Sequence, residues 1–129
     1  PHQPPDAIER QVVELVRRKK AHSSVLISSF EWKILDSVAS MEDAPAIALI
    51  SKYPAESDNV KHCIKLKAFS WHPNCDELTY DQVKIMREQG IRVFPYNVDS
   101  REEYRRMIQM DVDGVITSDP LLVSDLDPA

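Results

Sequence analysis

Five short clusters hold most of the side chains in this 129-residue chain that could do chemistry: Ser28-Ser29-Phe30, Ser51-Lys52, Ser70-Trp71-His72, Asn97-Val98-Asp99 and Thr117-Ser118-Asp119. They are rich in hydroxyls and amides and poor in paired carboxylates. Such groups suit hydrogen bonding to a polyol or a phosphate oxygen better than they suit holding a metal ion. His72 is the histidine among them, and two readings of it stay open: a loop residue held by Pro73, or a substrate contact. No Ser, Cys or carboxylate stands at an offset that would mark it as a general base. Ser29 likewise reads either as the cap of a following helix or as a site residue.

These clusters matter because each follows a short apolar run. In parallel α/β architectures ligands bind at the C-terminal ends of strands, where such clusters would converge. Pro1 to Pro5 reads as an extended lead-in, and Asp6-x-x-Glu9 as the cap of a helix with Ile8, Val12, Leu15 and Val16 on its buried face. Ser24 to Ile27 is expected to be a strand covered on both sides, followed by a helix carrying Phe30, Ile34, Leu35 and Val38. Ala46 to Ile50 is a second buried strand, Ser51 to Asn59 a loop or poorly formed helix, and Ile64 to Trp71 a third strand with one wetter face. Thr79-x-x-Gln82 is a capping box for a helix through Val83, Ile85 and Met86, which Gly90 ends in the left-handed conformation.

Ile91 to Tyr96 reads as the fourth strand. Pro95 within it removes a ladder donor, so an edge, a bulge or a wide mouth is expected there. Alternation sets Phe94 and Tyr96 on one face, with Val93, Pro95 and Asn97 on the other. Ser100-x-x-Glu103 opens a last helix with Tyr104, Met107 and Ile108 inward. Asp113-Gly114, read as a turn that needs positive φ, leads into a fifth strand. A strand beginning every 20 to 25 residues or so is the rhythm of βα units. It suits either a complete doubly wound sheet or about half of a (β/α)8 barrel. The two glycines weaken the first option, since the turn after Ile27 lacks the glycine-rich phosphate loop common in nucleotide-binding sheets.

Composition narrows the function classes. A net charge of −5 argues against a nucleic-acid partner, and no run approaches the length of a membrane span. The basic run Arg17-Arg18-Lys19-Lys20 fits a helix C-terminus. Cys63 and Cys75 are too few to staple the domain and are expected to be reduced, as in a cytoplasmic protein. A zinc site from Cys63, His72 and Cys75, with His62, would match no paired Cys-x-x-Cys spacing. The chain starts at Pro1 without a signal-peptide pattern, and is expected to be a processed or excised segment.

Val112-Asp113-Gly114-Val115-Ile116-Thr117-Ser118-Asp119-Pro120, with Val93-Phe94-Pro95-Tyr96-Asn97 and Ser28-Ser29-Phe30, resembles the C-terminal half of the glycerophosphodiester phosphodiesterase family. Members of that family close their barrel with strands of the form V-W-T-V-N and V-D-G-I-I-T-D-x-P. Phe94 stands in the Trp position and Asn97 in the Asn position. Pro95 and Tyr96 replace Thr and Val, Ser118 takes the place of the usual Asp, and Asp119 is shifted by one.

The resemblance implies an α/β fold of parallel βα units, strands four to eight of a TIM-type (β/α)8 barrel, with residues 1–129 forming one partial domain. It implies hydrolysis of a glycerophosphodiester to glycerol 3-phosphate and an alcohol, with Ca2+ or Mg2+ as cofactor. Ser29, Phe30, His72, Phe94 and Asn97 would line the substrate side. The family's H-R-G histidine and its E-N-T, E-x-D and E-I-K acids match nothing in this chain, so no catalytic residue and no tightly bound metal is expected of it alone. The expected partners are an N-terminal half-barrel or a second copy of the chain. The rival reading is a non-catalytic binding module.

Overall fold

A computed structural model describes residues 7–53 and 58–122; the Asp6 cap and the lead-in expected from Pro1 to Pro5 lie outside them. Within them the order is α1 (Ala7–Arg18), β1 (Leu26–Ser29), α2 (Trp32–Ala39), β2 (Ala46–Ser51), α3 (Asp58–Leu66), β3 (Ser70–Pro73), a 3-10 turn (Cys75–Glu77), α4 (Tyr80–Glu88), β4 (Arg92–Val93) and α5 (Arg101–Gln109). The strands form one parallel sheet in the order β1-β2-β3-β4. Each strand lies beside its successor with no reversal. A doubly wound sheet reverses direction at a switch point, so this ordering belongs to a barrel-type winding.

One face of the sheet carries the core. Ile27, Ile47, Leu49, Trp71 and Val93 share that face by register and pack with Val13, Leu35, Val38, Cys63, Leu66, Val83, Met86 and Met107 from the helices. Trp71 is fully buried, and its indole N–H donates to Ser51 Oγ at 2.8 Å. On the opposite face Leu26, Ser28, Ala46 and Arg92 are exposed, while the small residues Ala48 and Ser70 of the central strands are buried. β1 is therefore not covered on both sides by the described residues, as its apolar run had suggested.

Several helix faces depart from expectation. In α1 the inward residues are Glu9, Val13 and Val16, and Ile8, Val12 and Leu15 are exposed. Ile85 and Ile108 are also exposed, while Met86 and Met107 are fully buried. In each case the apolar stripe is wider than the surface the helix docks on. Phe30 precedes α2 instead of riding on it.

The expected strand Ile64 to Trp71 is wrong in its first half. Ile64 to Leu66 is the end of α3, and β3 begins at Ser70. The chain reverses at Lys67, whose φ is +53°, with Lys67 N–H bonded to Ile64 O and Ala68 N–H to Cys63 O. This is a Schellman ending with lysine where glycine is usual. Lys20 (φ +54°) and Asp111 (φ +63°) end α1 and α5 the same way. Only α4 uses glycine, at Gly90 (φ +75°), as the sequence predicts.

The fifth expected strand does not form regular ladder pairing. Residues 112–116 run beside β4 through Asp113 N–H to Val93 O, Ile116 N–H to Pro95 O and Val98 N–H to Ile116 O. Two residues on the β4 side oppose three on the other, so the segment is bulged. The physical cause is Pro95: Phe94 and Tyr96 donate to β3, and the donor missing at 95 is one that would face residues 112–116. On the same edge Asp113 Oδ2 accepts the Val93 N–H at 2.8 Å. Asp113 and Gly114 do not have positive φ. Gly114 has another reason to lack a side chain: a Cβ there would meet two Phe94 ring carbons at 3.0 and 3.1 Å.

Candidate functional site: a row of side chains at the strand ends

The register aligns the mouth. Ile50 pairs with His72, and continuing the observed pairing brings Phe30 level with Ile50 and Phe94 level with His72. Ile50, His72 and Phe94 thus form one row across the C-terminal ends of the strands, on the face away from the helices, and Phe30, one residue past the β1 ladder, follows at its end by continued register. Neighbouring strands lie about 4.8 Å apart, so Phe30 and His72 stand roughly 10 Å from each other across β2. Phe30 is 59% exposed; the other three are half-buried.

His72 is the polar centre of the row. Its ring meets Phe94 edge-on, with centroids 5.6 Å apart and planes at 79°. Its Nε2 lies 2.9 Å from Ser70 Oγ, two residues back on the same face of β3. Burial lowers the His72 pKa from its ordinary value, favouring the neutral ring. A strand running from Ile64 to Trp71, as the sequence suggests, stops short of this histidine and hides its hydroxyl partner. The Ser-x-His alternation in a strand was the signal that could have found it.

The other anticipated residues lie differently. Ser29 is not the helix cap: Glu31 takes that position, and Ser29 Oγ accepts the Glu31 N–H at 3.0 Å, closing a turn just ahead of α2. Ser29 shares the helix-facing register of Leu49 and Trp71. Asn97 is exposed and outside the row, with its backbone carbonyl 3.5 Å from Cys75 Sγ. Ser51 ties the mouth together from below, its carbonyl accepting Asn74 N–H at 2.8 Å and Tyr96 Oη–H at 3.2 Å. Asp99 Oδ1 accepts from Thr117 Oγ1, Ser118 N and Ser118 Oγ at 3.0–3.1 Å, clasping the 117–119 cluster. The Ser118 and Thr117 bonds hold the Asp99 carboxyl below its ordinary value.

The row does not fit a catalytic Ca2+ or Mg2+. The row offers one imidazole and no carboxylate, whereas those ions take six or more oxygens. Among the described residues the three-donor group is Cys75, Asp76 and Glu103. There burial, with the Glu103 hydrogen bond next, pushes the Cys75 thiol up to about 12, so Sγ keeps its proton and donates to Glu103 Oε2 at 3.0 Å. Cys63 lies in α3, its thiol also raised to about 12 by burial, and His62 stacks on Trp32 at 4.3 Å. The zinc set Cys63, His62, His72 and Cys75 is therefore not assembled.

Residues 4–122 match the model of the glycerophosphoryl diester phosphodiesterase family. The chain belongs to that family. A protein named glycerophosphodiester phosphodiesterase from Caldanaerobacter subterraneus is 31% identical over 114 residues, covering 88% of this chain and 46% of the relative. Among solved structures, a glycerophosphodiester phosphodiesterase from Thermotoga maritima superposes with a TM-score of 0.68 at 24% identity, covering 97% of this chain and 55% of that one. An Oleispira antarctica phosphodiesterase in complex with the product sn-glycerol 3-phosphate superposes with a TM-score of 0.73 at 16% identity, over 95% of this chain and 51% of that one. The chain spans about half the length of the family relatives it matches. Its sheet is accordingly an arc of the family's TIM-type barrel, as the sequential strand order requires.

Proposed function

We propose that residues 1–129 form one partial domain, which supplies the substrate-side wall of a barrel that hydrolyses glycerophosphodiesters to glycerol 3-phosphate and an alcohol. The observation that carries this reading is the aligned row of Phe30, Ile50, His72 and Phe94 at the strand ends. The two aromatic rings and Ile50 offer apolar walls for a glycerol backbone, and His72 offers one hydrogen bond to a phosphate or hydroxyl oxygen. Ser29 faces the helices and Asn97 lies outside the row, so this wall is built without their side chains. The sn-glycerol 3-phosphate held by the Oleispira protein supports the ligand class.

The acid, the base and the divalent metal, Ca2+ or Mg2+, come in this reading from residues outside this chain. The exposed face and edges of the sheet, with Leu26 (40% exposed) at β1 and Ile116 (39% exposed) beside β4, meet either an N-terminal half-barrel or a second copy. That same exposed face favours the rival, a non-catalytic module that works by association. The two free cysteines support a cytoplasmic setting. Among the described residues no helix is long and apolar enough to cross a membrane.

Choline release from glycerophosphocholine, assayed with Mg2+ or Ca2+, is the test. The chain alone should give none, and mixing it with the N-terminal half of a family barrel should restore it. Turnover by the chain alone overturns the division of labour; no turnover in the mixture favours the rival.

A further inference from the structure

We propose that Ser70 is a positioning residue that fixes His72 as its Nδ1–H tautomer, so that the ring presents a hydrogen-bond donor to an anionic or hydroxyl oxygen of the ligand. This rests on the reading of the row as a substrate wall.

The derivation starts from the Ser70 hydroxyl. Ser70 is fully buried in β3, between Ala48 of β2 and Arg92 of β4, and among the described residues its hydroxyl has one hydrogen-bond partner, His72 Nε2 at 2.9 Å. A hydroxyl has one proton to give and can leave an acceptor lone pair unused at little cost, but a buried donor left unmade is expensive. Ser70 Oγ–H therefore donates, and Nε2 accepts. A neutral imidazole that accepts on Nε2 carries its proton on Nδ1. Among the described residues Nδ1 has no protein partner, and it is not an enclosed atom. Phe94 sits edge-on to the ring and limits its rotation about the bond to Ser70. The result is a donor held at fixed orientation in the centre of the row. Accepting from a ligand donor would need the opposite tautomer, so the pairing selects an acceptor oxygen, anionic or hydroxyl, over a group that can only donate.

The test is long-range 15N–1H NMR on the full chain near neutral pH. In the wild type the His72 pattern should be that of Nδ1–H, exceeding Nε2–H by about tenfold or more, the scale set by a buried donor's need for a partner. Ser70→Ala should relax the ratio toward the Nε2–H form that free histidine side chains prefer. An Nε2–H pattern in the wild type overturns the proposal and needs no variant to be seen. An unchanged ratio in a folded Ser70→Ala chain, judged by its amide dispersion, overturns it as well. Titration with sn-glycerol 3-phosphate then separates the two layers. A downfield shift of the Nδ1–H proton supports donation to the ligand, while an Nδ1–H tautomer that does not respond at all keeps Ser70's role and refutes the substrate wall.

Discussion

Gly114→Ala perturbs the site from behind. The added methyl would stand 3.0 and 3.1 Å from two Phe94 ring carbons, where ordinary contact begins at 3.4 Å, so the ring must retreat by a few tenths of an ångström. Overpacking of that kind costs about 1–3 kcal/mol. The same substitution stiffens the unfolded chain and returns about 0.4–1 kcal/mol, because Gly114 does not have positive φ. The net effect is a destabilisation of roughly 1 kcal/mol. With a urea m-value of about 2 kcal/mol/M, the unfolding midpoint should fall by about 0.5 M with m unchanged. Phe94→Ala removes the ring, and on that background Gly114→Ala should become neutral or stabilising. A double-mutant cycle in urea reads this sign change directly. If Gly114→Ala costs the same with and without the Phe94 ring, the close approach is not the reason glycine stands there.

Ser51→Ala strands the buried Trp71 indole N–H and should cost about 1–3 kcal/mol in urea unfolding, a cost that Trp71→Phe should largely abolish in a cycle. Lys67→Gly relieves a left-handed lysine at the end of α3 and should raise thermal stability by about 1 kcal/mol, whereas no gain would contradict the Schellman assignment. The lowered His72 pKa makes the unfolded chain bind its proton first as pH falls below about 6.5, so stability declines there and levels once the folded ring is also protonated. His72→Gln should flatten that part of the urea-midpoint profile between pH 7.5 and 5.

What could be read in the sequence, and what could not, divides at the chain reversals. Thr79 and Gln82 form the full capping box, and Gly90 ends α4, so that βα unit was readable at both ends. Ser100 caps α5 as its spacing implies. The α3–β3 junction was hidden because lysine, not glycine, occupies the left-handed position there. That single residue displaced the start of β3 to Ile64, and with it the Ser70–His72 pair. Asp113 and Gly114 do not form the positive-φ turn their sequence suggests: Asp113 gives the Val93 N–H an acceptor, and Gly114 makes room for the Phe94 ring. On α1 Val16 is buried as its spacing implies, but Ile8, Val12 and Leu15 repeat as regularly as the docked positions and stay exposed. Periodicity reports that a face is apolar; it does not report which part of it finds a partner.

The central claim is that the strand-end row binds the glycerol phosphate part of the substrate. A chemical-shift map of the 15N-labelled chain titrated with sn-glycerol 3-phosphate tests it most directly. The account predicts saturable shifts centred on Phe30, Ile50, His72 and Phe94 and their strand neighbours. Shifts centred elsewhere, for example on Cys75, Asp76 and Glu103, or no saturable shift at that row, would contradict it.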